Sequence, residues 1–224
     1  SERIRQLWPE GDGPRVTGYV SYFEWMWSAA RTLEQGASPE LPVGYYGVPP
    51  QDPAPRLSLN GTPVPAYLFS PGSNSQERLA EIIDSASKSL DVVTYTFSSK
   101  ALSEAVVRAK KRGLKVRFMM DKNMAKGSIA AKTVFDGGVE MRLTEGRTEK
   151  GAFHHKFAIL DGKLLETGSF NWAANASVNS FENITFTSDR AVVKAYQSLY
   201  NSFYPKSLVP SEIDFVPDPA QSLN

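Results

Sequence analysis

An α/β fold with a mixed, largely parallel β-sheet, helices on both faces and a Pro-rich N-terminal extension is what this sequence predicts. Three observations point to it. Between residues 66 and 143 the apolar periodicity switches repeatedly between two and about 3.6, the strand and helix alternation of parallel or mixed sheets. Asp161-Gly162, set between two short apolar runs, marks a hairpin. After one further strand, the chain closes on an amphipathic stretch that begins at Asp189. Composition agrees, because 224 residues with 41% hydrophobic and 22% charged side chains exclude a collagen, a coiled coil and a disordered tail. With 25 Lys and Arg against 24 Asp and Glu the net charge is +1, so an anionic partner must be met by a local patch. Cysteine is absent, which excludes thiolate catalysis, zinc ribbons and disulfide scaffolds. No apolar run approaches the roughly 18 residues of a membrane span. The start, SERIRQLWPEGDG, has no hydrophobic signal core, and Ser1 in place of Met suggests a processed chain. Periplasmic, secreted and cytoplasmic settings all fit.

Each element follows from local patterning. Gly18 to Leu33 carries Tyr19, Tyr22, Phe23, Met26, Trp27 and Ala30 at spacings of three and four, an amphipathic stripe that needs a packing partner. Pro39 to Pro65 holds eight of the 15 prolines and reads as an irregular connector. Ala66 to Ser70 is a short strand. Ser73, with Gln76 three residues on, opens a helix to about Lys88 with Leu79, Ile82, Ile83 and Ala86 on one face. Leu90 to Phe97 is β-branched and aromatic, hence a strand. Ser98 or Ser99 caps a helix through Leu102, Val106 and Ala109, stopped by Gly113 after a basic last turn. Leu114 to Met120 is a strand, residues 124–135 a helix, and Val139 to Leu143 a strand. Phe157 to Leu160 and Leu164 to Thr167 form the hairpin, and Asn183 to Thr187 is the last strand. Asp189 caps a closing helix with Val192, Ala195, Tyr196, Leu199, Tyr200 and Phe203 inward. The expected organisation is an extension over 1–64, a main domain over 65–205 and a tail over 206–224. Tyr196, Tyr200, Phe203 and Tyr204 share their spacing with Tyr19, Phe23, Met26 and Trp27. Either this is coincidence or the first helix closes a similar preceding domain.

Polar chemistry concentrates in GAFHHKFAILDG and TGSFN. The only two histidines, His154 and His155, are adjacent, and His154, Lys156 and Asp161 form the pattern HxKxxxxD. Gly168, Ser169 and Asn171 follow at the end of the next strand. Alternation places His154 and Lys156 on one face and His155 on the other, while the hairpin returns Ser169 and Asn171 to the same sheet edge. Imidazole, ammonium, hydroxyl and carboxamide together suit a phosphodiester. A nonbridging phosphate oxygen calls for a cation and fixed donors, which matter most as charge builds in the transition state. An imidazole nitrogen can attack phosphorus and split one displacement into two. It must be neutral with its other nitrogen held by an acceptor, for which Glu182 is the candidate.

HHKFAILDG, TGSFNW and ENITF resemble the phospholipase D superfamily, whose signature is HxKxxxxD followed by GSxN. The likeness covers roughly Pro65 to Pro205. It implies His154 as nucleophile, Lys156, Ser169 and Asn171 as phosphate binders, Glu182 orienting the histidine, and Asp161 and Gly168 as structural members. It implies no cofactor and no metal. Family members use two facing motif copies, one histidine attacking and the other protonating the leaving oxygen. This chain has one copy, so a second histidine comes from a homodimer sharing one site, or from a missing N-terminal half.

The same site serves nucleic acids and phospholipids in the family, so specificity resides in its walls. GSFNW and HHKF resemble the small single-motif nuclease and cardiolipin-hydrolase branch. Lys122, Lys126, Arg142, Arg147 and Lys150 lie in loops or strand ends expected to border the site, where a nucleic-acid backbone would run. Glu140, Glu145 and Glu149 would balance them if they are only solvated charges. Trp172 either stacks on a base or packs inward. An exposed apolar rim for lipid entry is found only at Phe153 and the Val43 to Val48 stretch with Tyr45 and Tyr46. The expected partner is therefore nucleic acid, with phospholipid as the alternative and an inactive nucleic-acid-binding half as a third reading.

Overall fold

The computed structural model of the protein describes residues 13–30, 47–148 and 151–217. Seven strands form one mixed sheet in the order β3 (Tyr67–Ser70), β9 (Glu182–Thr187), β8 (Leu164–Gly168), β7 (Phe157–Leu160), β4 (Ser89–Thr94), β5 (Lys115–Asp121), β6 (Glu140–Thr144). Only the β4 to β5 and β5 to β6 ladders are parallel, and the other four are antiparallel. The sheet is mixed as expected, but its weight is antiparallel, because the hairpin through Asp161 and the insertion of β9 beside β3 add four antiparallel ladders to one βαβαβ run.

Paired residues share a face, so the register divides the sheet into two packing surfaces. On one face Leu68, Ile184, Phe186, Ala158, Leu160, Leu90, Val92, Phe118 and Met120 form the larger core. Helices α2 (Ser75–Ser85), α3 (Lys100–Lys111), α5 (Ile129–Asp136) and α6 (Ala174–Val178) cover it with Leu79, Ile83, Leu102, Val106, Ala109, Val134 and Ala176. Ser99 caps α3 by accepting from Leu102 N–H. Asn74, in a left-handed conformation, precedes α2, and Ser73 instead pairs with Ser75 at 2.7 Å. The stretch expected as one helix over 124–135 is two: α4 (Lys122–Ala125), capped by Asp121, and α5, capped by Ser128. Gly127, at φ 72°, separates them.

The opposite face packs Val93, Met119, Phe157, Ile159 and Leu165 under α7 (Arg190–Phe203). Asp189 caps α7 as expected. Tyr200 is buried and Tyr196, Leu199 and Phe203 pack against the same cluster as expected, whereas Val192 and Ala195 are exposed and Val193 is buried in their place. Helix α1 (Gly13–Ala29) covers the edge of this same face. Tyr22 stacks on Phe69 at 3.9 Å, and a Cβ on Gly18 would meet the Tyr67 ring at 2.3 Å, so glycine permits the close approach. The spacing shared with α7 does not carry over to burial: Tyr200 is 0% exposed and its counterpart Phe23 is 59% exposed. Residues 31–33, the expected end of this helix, lie outside the described residues, as do Trp8, Tyr45 and Tyr46.

Residues before 65 and after 205 also reach the core. The hairpin β1 (Leu57–Leu59) and β2 (Thr62–Val64) places Leu59 and Val64 in the larger core. At the other end Leu208 bridges to Leu143 and Phe215 is buried against Phe135.

Asp161 binds these pieces together. It sits at φ 54° in the β7 to β8 turn and accepts from Asn60 Nδ2 at 2.7 Å, Lys88 N at 2.7 Å, Ser89 N at 3.0 Å, and Ser87 N and Oγ at 3.1 Å. Burial pushes its carboxyl up, but bonds from the Ser89 amide, Asn60, and the Lys88 and Ser87 amides outweigh this and hold it near 2. Stability from these bonds is therefore present above the ordinary carboxylate value of 3.8 and is lost as pH falls toward 2. Asp161→Ala strands three backbone amides and is expected to cost about 2–4 kcal/mol, read as a lower melting temperature at neutral pH that shrinks in acid.

Candidate active site

One end of the sheet gathers the motif. Strand β4 runs out into Tyr95, β7 is entered through His154 and Lys156, β8 leaves into Ser169 and Asn171, and β9 begins at Glu182. These residues are distant in sequence and adjacent only because β8 and β7 lie between β9 and β4.

His154 is exposed, whereas Lys156 is buried at 8%. Lys156 Nζ lies 2.8 Å from His154 Nδ1 and donates to the His154 carbonyl at 3.0 Å. It also stands over the Tyr95 ring, 5.4 Å from its centroid, and that ring flanks the His154 imidazole at 4.3 Å. Burial lowers the ammonium pKa, and the negative Glu182 opposes this. With Lys156 donating to Nδ1, the neutral imidazole carries its proton on Nε2. His155 points to the other face, as alternation requires, against Phe153, Phe157 and Phe203. Burial lowers its pKa, with the nearby Lys156 and His154 adding to the effect.

Ser169 and Glu182 are in contact, the serine hydroxyl donating to the carboxylate. The Ser169 oxygen accepts from Asn183 N at 3.0 Å and Asn183 Nδ2 at 3.2 Å, so its own proton is directed to Glu182. The structure thus places Glu182 against Ser169, while His154 Nδ1 faces Lys156. Gly168 has no room for a side chain, since a Cβ would meet the Asn183 carbonyl oxygen at 2.1 Å. Asn171 accepts from Thr96 N at 3.4 Å through Oδ1.

Two supports escaped the sequence reading. Tyr95 lies beyond every motif and is found only through the β4 to β7 pairing. Asp121 is 1% exposed, caps α4 through the amides of Asn123 and Met124, and accepts from Phe153 N at 2.8 Å, fixing the residue before His154.

The expected groove residues separate. Trp172 is fully buried, its ring near Phe97 and Phe118 and its carbonyl accepting from the Ser98 and Ser99 amides, so it is a core residue and contacts no groove. This follows from its position in the crossing that joins β8 to the end of β4, where the larger core closes. Arg142 lies over the Tyr204 ring at 4.7 Å, on the α7 side, and is likewise engaged in packing. Lys122 lies at the site's end of the sheet but is paired with Glu145 at 2.9 Å. Arg147 is exposed on the loop between β6 and β7. Lys150 lies outside the described residues. Phe153, expected on an exposed rim, is 4% exposed. An apolar rim exists elsewhere: Phe23 and Trp27 on α1, with Val178 and Phe181 just before Glu182, are 44–72% exposed. Among the described residues no cluster of three or more His, Asp and Glu is placed to hold a metal ion, and no helix is long and apolar enough to cross a membrane.

The family described as cardiolipin synthase, PLD-like domain, matches residues 79–204. The mitochondrial cardiolipin hydrolase of Xenopus tropicalis is 35% identical over 142 residues, covering 63% of this chain and 66% of that protein. A phospholipase D of Rickettsia prowazekii is 28% identical over 144 residues, covering 62% of this chain and 66% of that protein. The chain spans just under two thirds of the length of these relatives. The crystal structure of Nuc, a phospholipase D family member from Salmonella typhimurium, superposes with a TM-score of 0.59 at 25% identity, covering 65% of this chain and 97% of Nuc. With the HxKxxxxD and GSxN residues at one sheet end and the family's domain matching more than half of this chain, the chain belongs to the phospholipase D superfamily of phosphodiesterases.

Proposed function

We propose that the protein is a nuclease that cleaves DNA or RNA phosphodiesters through a covalent phosphohistidine on His154, needing no metal ion. The observation that carries this reading is the group formed by exposed His154, buried Lys156 and the Tyr95 ring. A phosphate needs the first two, and an aromatic face beside it suits the base next to the scissile phosphate. Exposed Arg147 supports the same reading, since a strand lying across the site would pass a cation.

Phosphate binding draws the Lys156 ammonium from His154 Nδ1 to a nonbridging oxygen, because its bond to an anion is the stronger one. The imidazole proton then resides on Nδ1 and the lone pair on Nε2. Nε2 attacks phosphorus, the P–N bond forming as the P–O bond to the leaving alcohol breaks. That oxygen takes a proton from a second histidine, supplied by a second copy of this chain across a shared site. Water then attacks phosphorus and returns a proton to the second histidine as the P–N bond breaks. Asn171 and Lys156 face the charge that grows on the nonbridging oxygens.

Phospholipid is the second reading, supported by the apolar rim of Phe23, Trp27, Val178 and Phe181 and by the cardiolipin hydrolase name of the Xenopus relative. Labelled single-stranded DNA and cardiolipin-containing vesicles, each incubated with the protein in EDTA, separate the two. Cleavage of DNA without turnover of vesicles is expected. Turnover of vesicles alone would reverse the assignment.

A further inference from the structure

Helix α1 lies wholly before the segment the family shares, which begins at residue 79, yet it is hydrogen-bonded into the active site. Tyr19 Oη donates to Asn183 Oδ1 at 2.9 Å and lies 2.7 Å from Thr185 Oγ1. Burial raises the Tyr19 pKa, partly offset by the Thr185 bond and by Arg15, so the phenol stays protonated and able to donate. With the Tyr19 proton committed to Asn183, the Thr185 hydroxyl donates to the Tyr19 oxygen. The bonds then run in one direction, Thr185 to Tyr19 to the Asn183 carbonyl, and from the Asn183 amide to Ser169 to Glu182.

A carboxamide can turn over, and the consequences of doing so here differ sharply. With Nδ2 toward Ser169, the serine oxygen is saturated by two N–H donors and its proton goes to Glu182. With Oδ1 toward Ser169, the serine proton has a second acceptor and Glu182 loses its donor. Tyr19 Oη donating to Oδ1, with Thr185 donating to the phenol oxygen, favours the first arrangement. Resting on the phosphodiesterase reading of this site, we propose that Tyr19 is a positioning residue: by fixing the Asn183 carboxamide it holds the Ser169 hydroxyl on Glu182 at the start of β9.

The test uses Tyr19→Phe, which removes one oxygen and leaves the ring that packs against Phe69 at 5.1 Å. Turnover of bis-p-nitrophenyl phosphate should fall roughly ten- to a hundredfold in kcat with KM within about twofold. The Asn183 side-chain amide protons should shift in the NMR spectrum and exchange faster. Asn183→Asp, whose carboxylate has no N–H to give Ser169, should lose at least as much kcat. Glu24→Ala, an exposed change on the same helix, should leave both readouts as they are. An unchanged kcat in Tyr19→Phe, or an Asn183 amide with unaltered shift and exchange, overturns the proposal. If the unmodified protein turns over no phosphodiester, the reading of the site fails separately, and the Asn183 amide in Tyr19→Phe still decides whether the phenol holds it.

Discussion

Replacing His154 with alanine is expected to lower phosphodiester turnover by roughly 10⁴- to 10⁶-fold, because the covalent route then has no nucleophile. The loss should appear in kcat with folding intact, since His154 is exposed and among the described residues its side chain hydrogen-bonds only to Lys156. A second readout makes the role explicit. Quenching the unmodified protein with acid-sparing denaturant during turnover of a 32P-labelled substrate should leave label on the protein in an acid-labile, alkali-stable form, the behaviour of a phosphoramidate. His154→Ala should carry none. His155→Ala, which changes the opposite face of the same strand entry, should retain most activity. Label that persists in His154→Ala would move the nucleophile to another residue.

Glu166→Gln is expected to stabilise the protein at neutral and alkaline pH. Glu166 lies on β8 at 0% exposure in the larger core, and neither carboxylate oxygen has a hydrogen-bond partner among the described residues. Trp172 Nε1 likewise makes no hydrogen bond of full geometry among the described residues. Burial pushes the carboxyl up to about 8 from 4.5, while the nearby indole of Trp172 and the Ala158 amide lower it only in part. The folded state therefore keeps its proton where the unfolded chain has released it. Stability from Glu166 is fully present below 4.5 and falls as pH rises through about 8. Between pH 5 and pH 7.5 the loss amounts to roughly 3 kcal/mol, or several degrees in melting temperature for a chain this size. Gln has the shape of the neutral acid and does not titrate, so the two proteins should melt together near pH 5 and diverge steadily above it. Parallel melting curves from pH 5 to pH 8 would mean that Glu166 is solvated or paired in the folded state.

Much of the architecture was legible because it rests on local chemistry. Ser99, Asp189 and the Asp161-Gly162 turn act over two or three residues, and their geometry is written in adjacent side chains. The motif was legible for the same reason, since alternation alone sets His154 and Lys156 on one face and His155 on the other. What could not be read depends on partners remote in sequence. Tyr95 reaches His154 only through the pairing of β4 with β7. Trp172 is buried because the chain after β8 crosses to Phe97, a contact with no local signature. The sheet's antiparallel weight follows from β9 entering between β8 and β3, which no periodicity announces. Val193 faces inward in place of Val192, a choice made by contact with the sheet and not by the apolar content of α7.

The position of β3 has a consequence for biosynthesis. Its hydrogen-bonding neighbour is β9, and Tyr67 pairs with Thr185. A ribosome adding about 5–20 residues per second leaves β3 waiting on the order of ten seconds for that neighbour. During that interval its amides and carbonyls are an open template for another nascent chain. Helix α1 is translated first and brings Tyr22 onto Phe69 and Gly18 onto Tyr67. One face of the waiting strand is thus covered by a segment already made, while its edge stays unpaired until the last strand arrives.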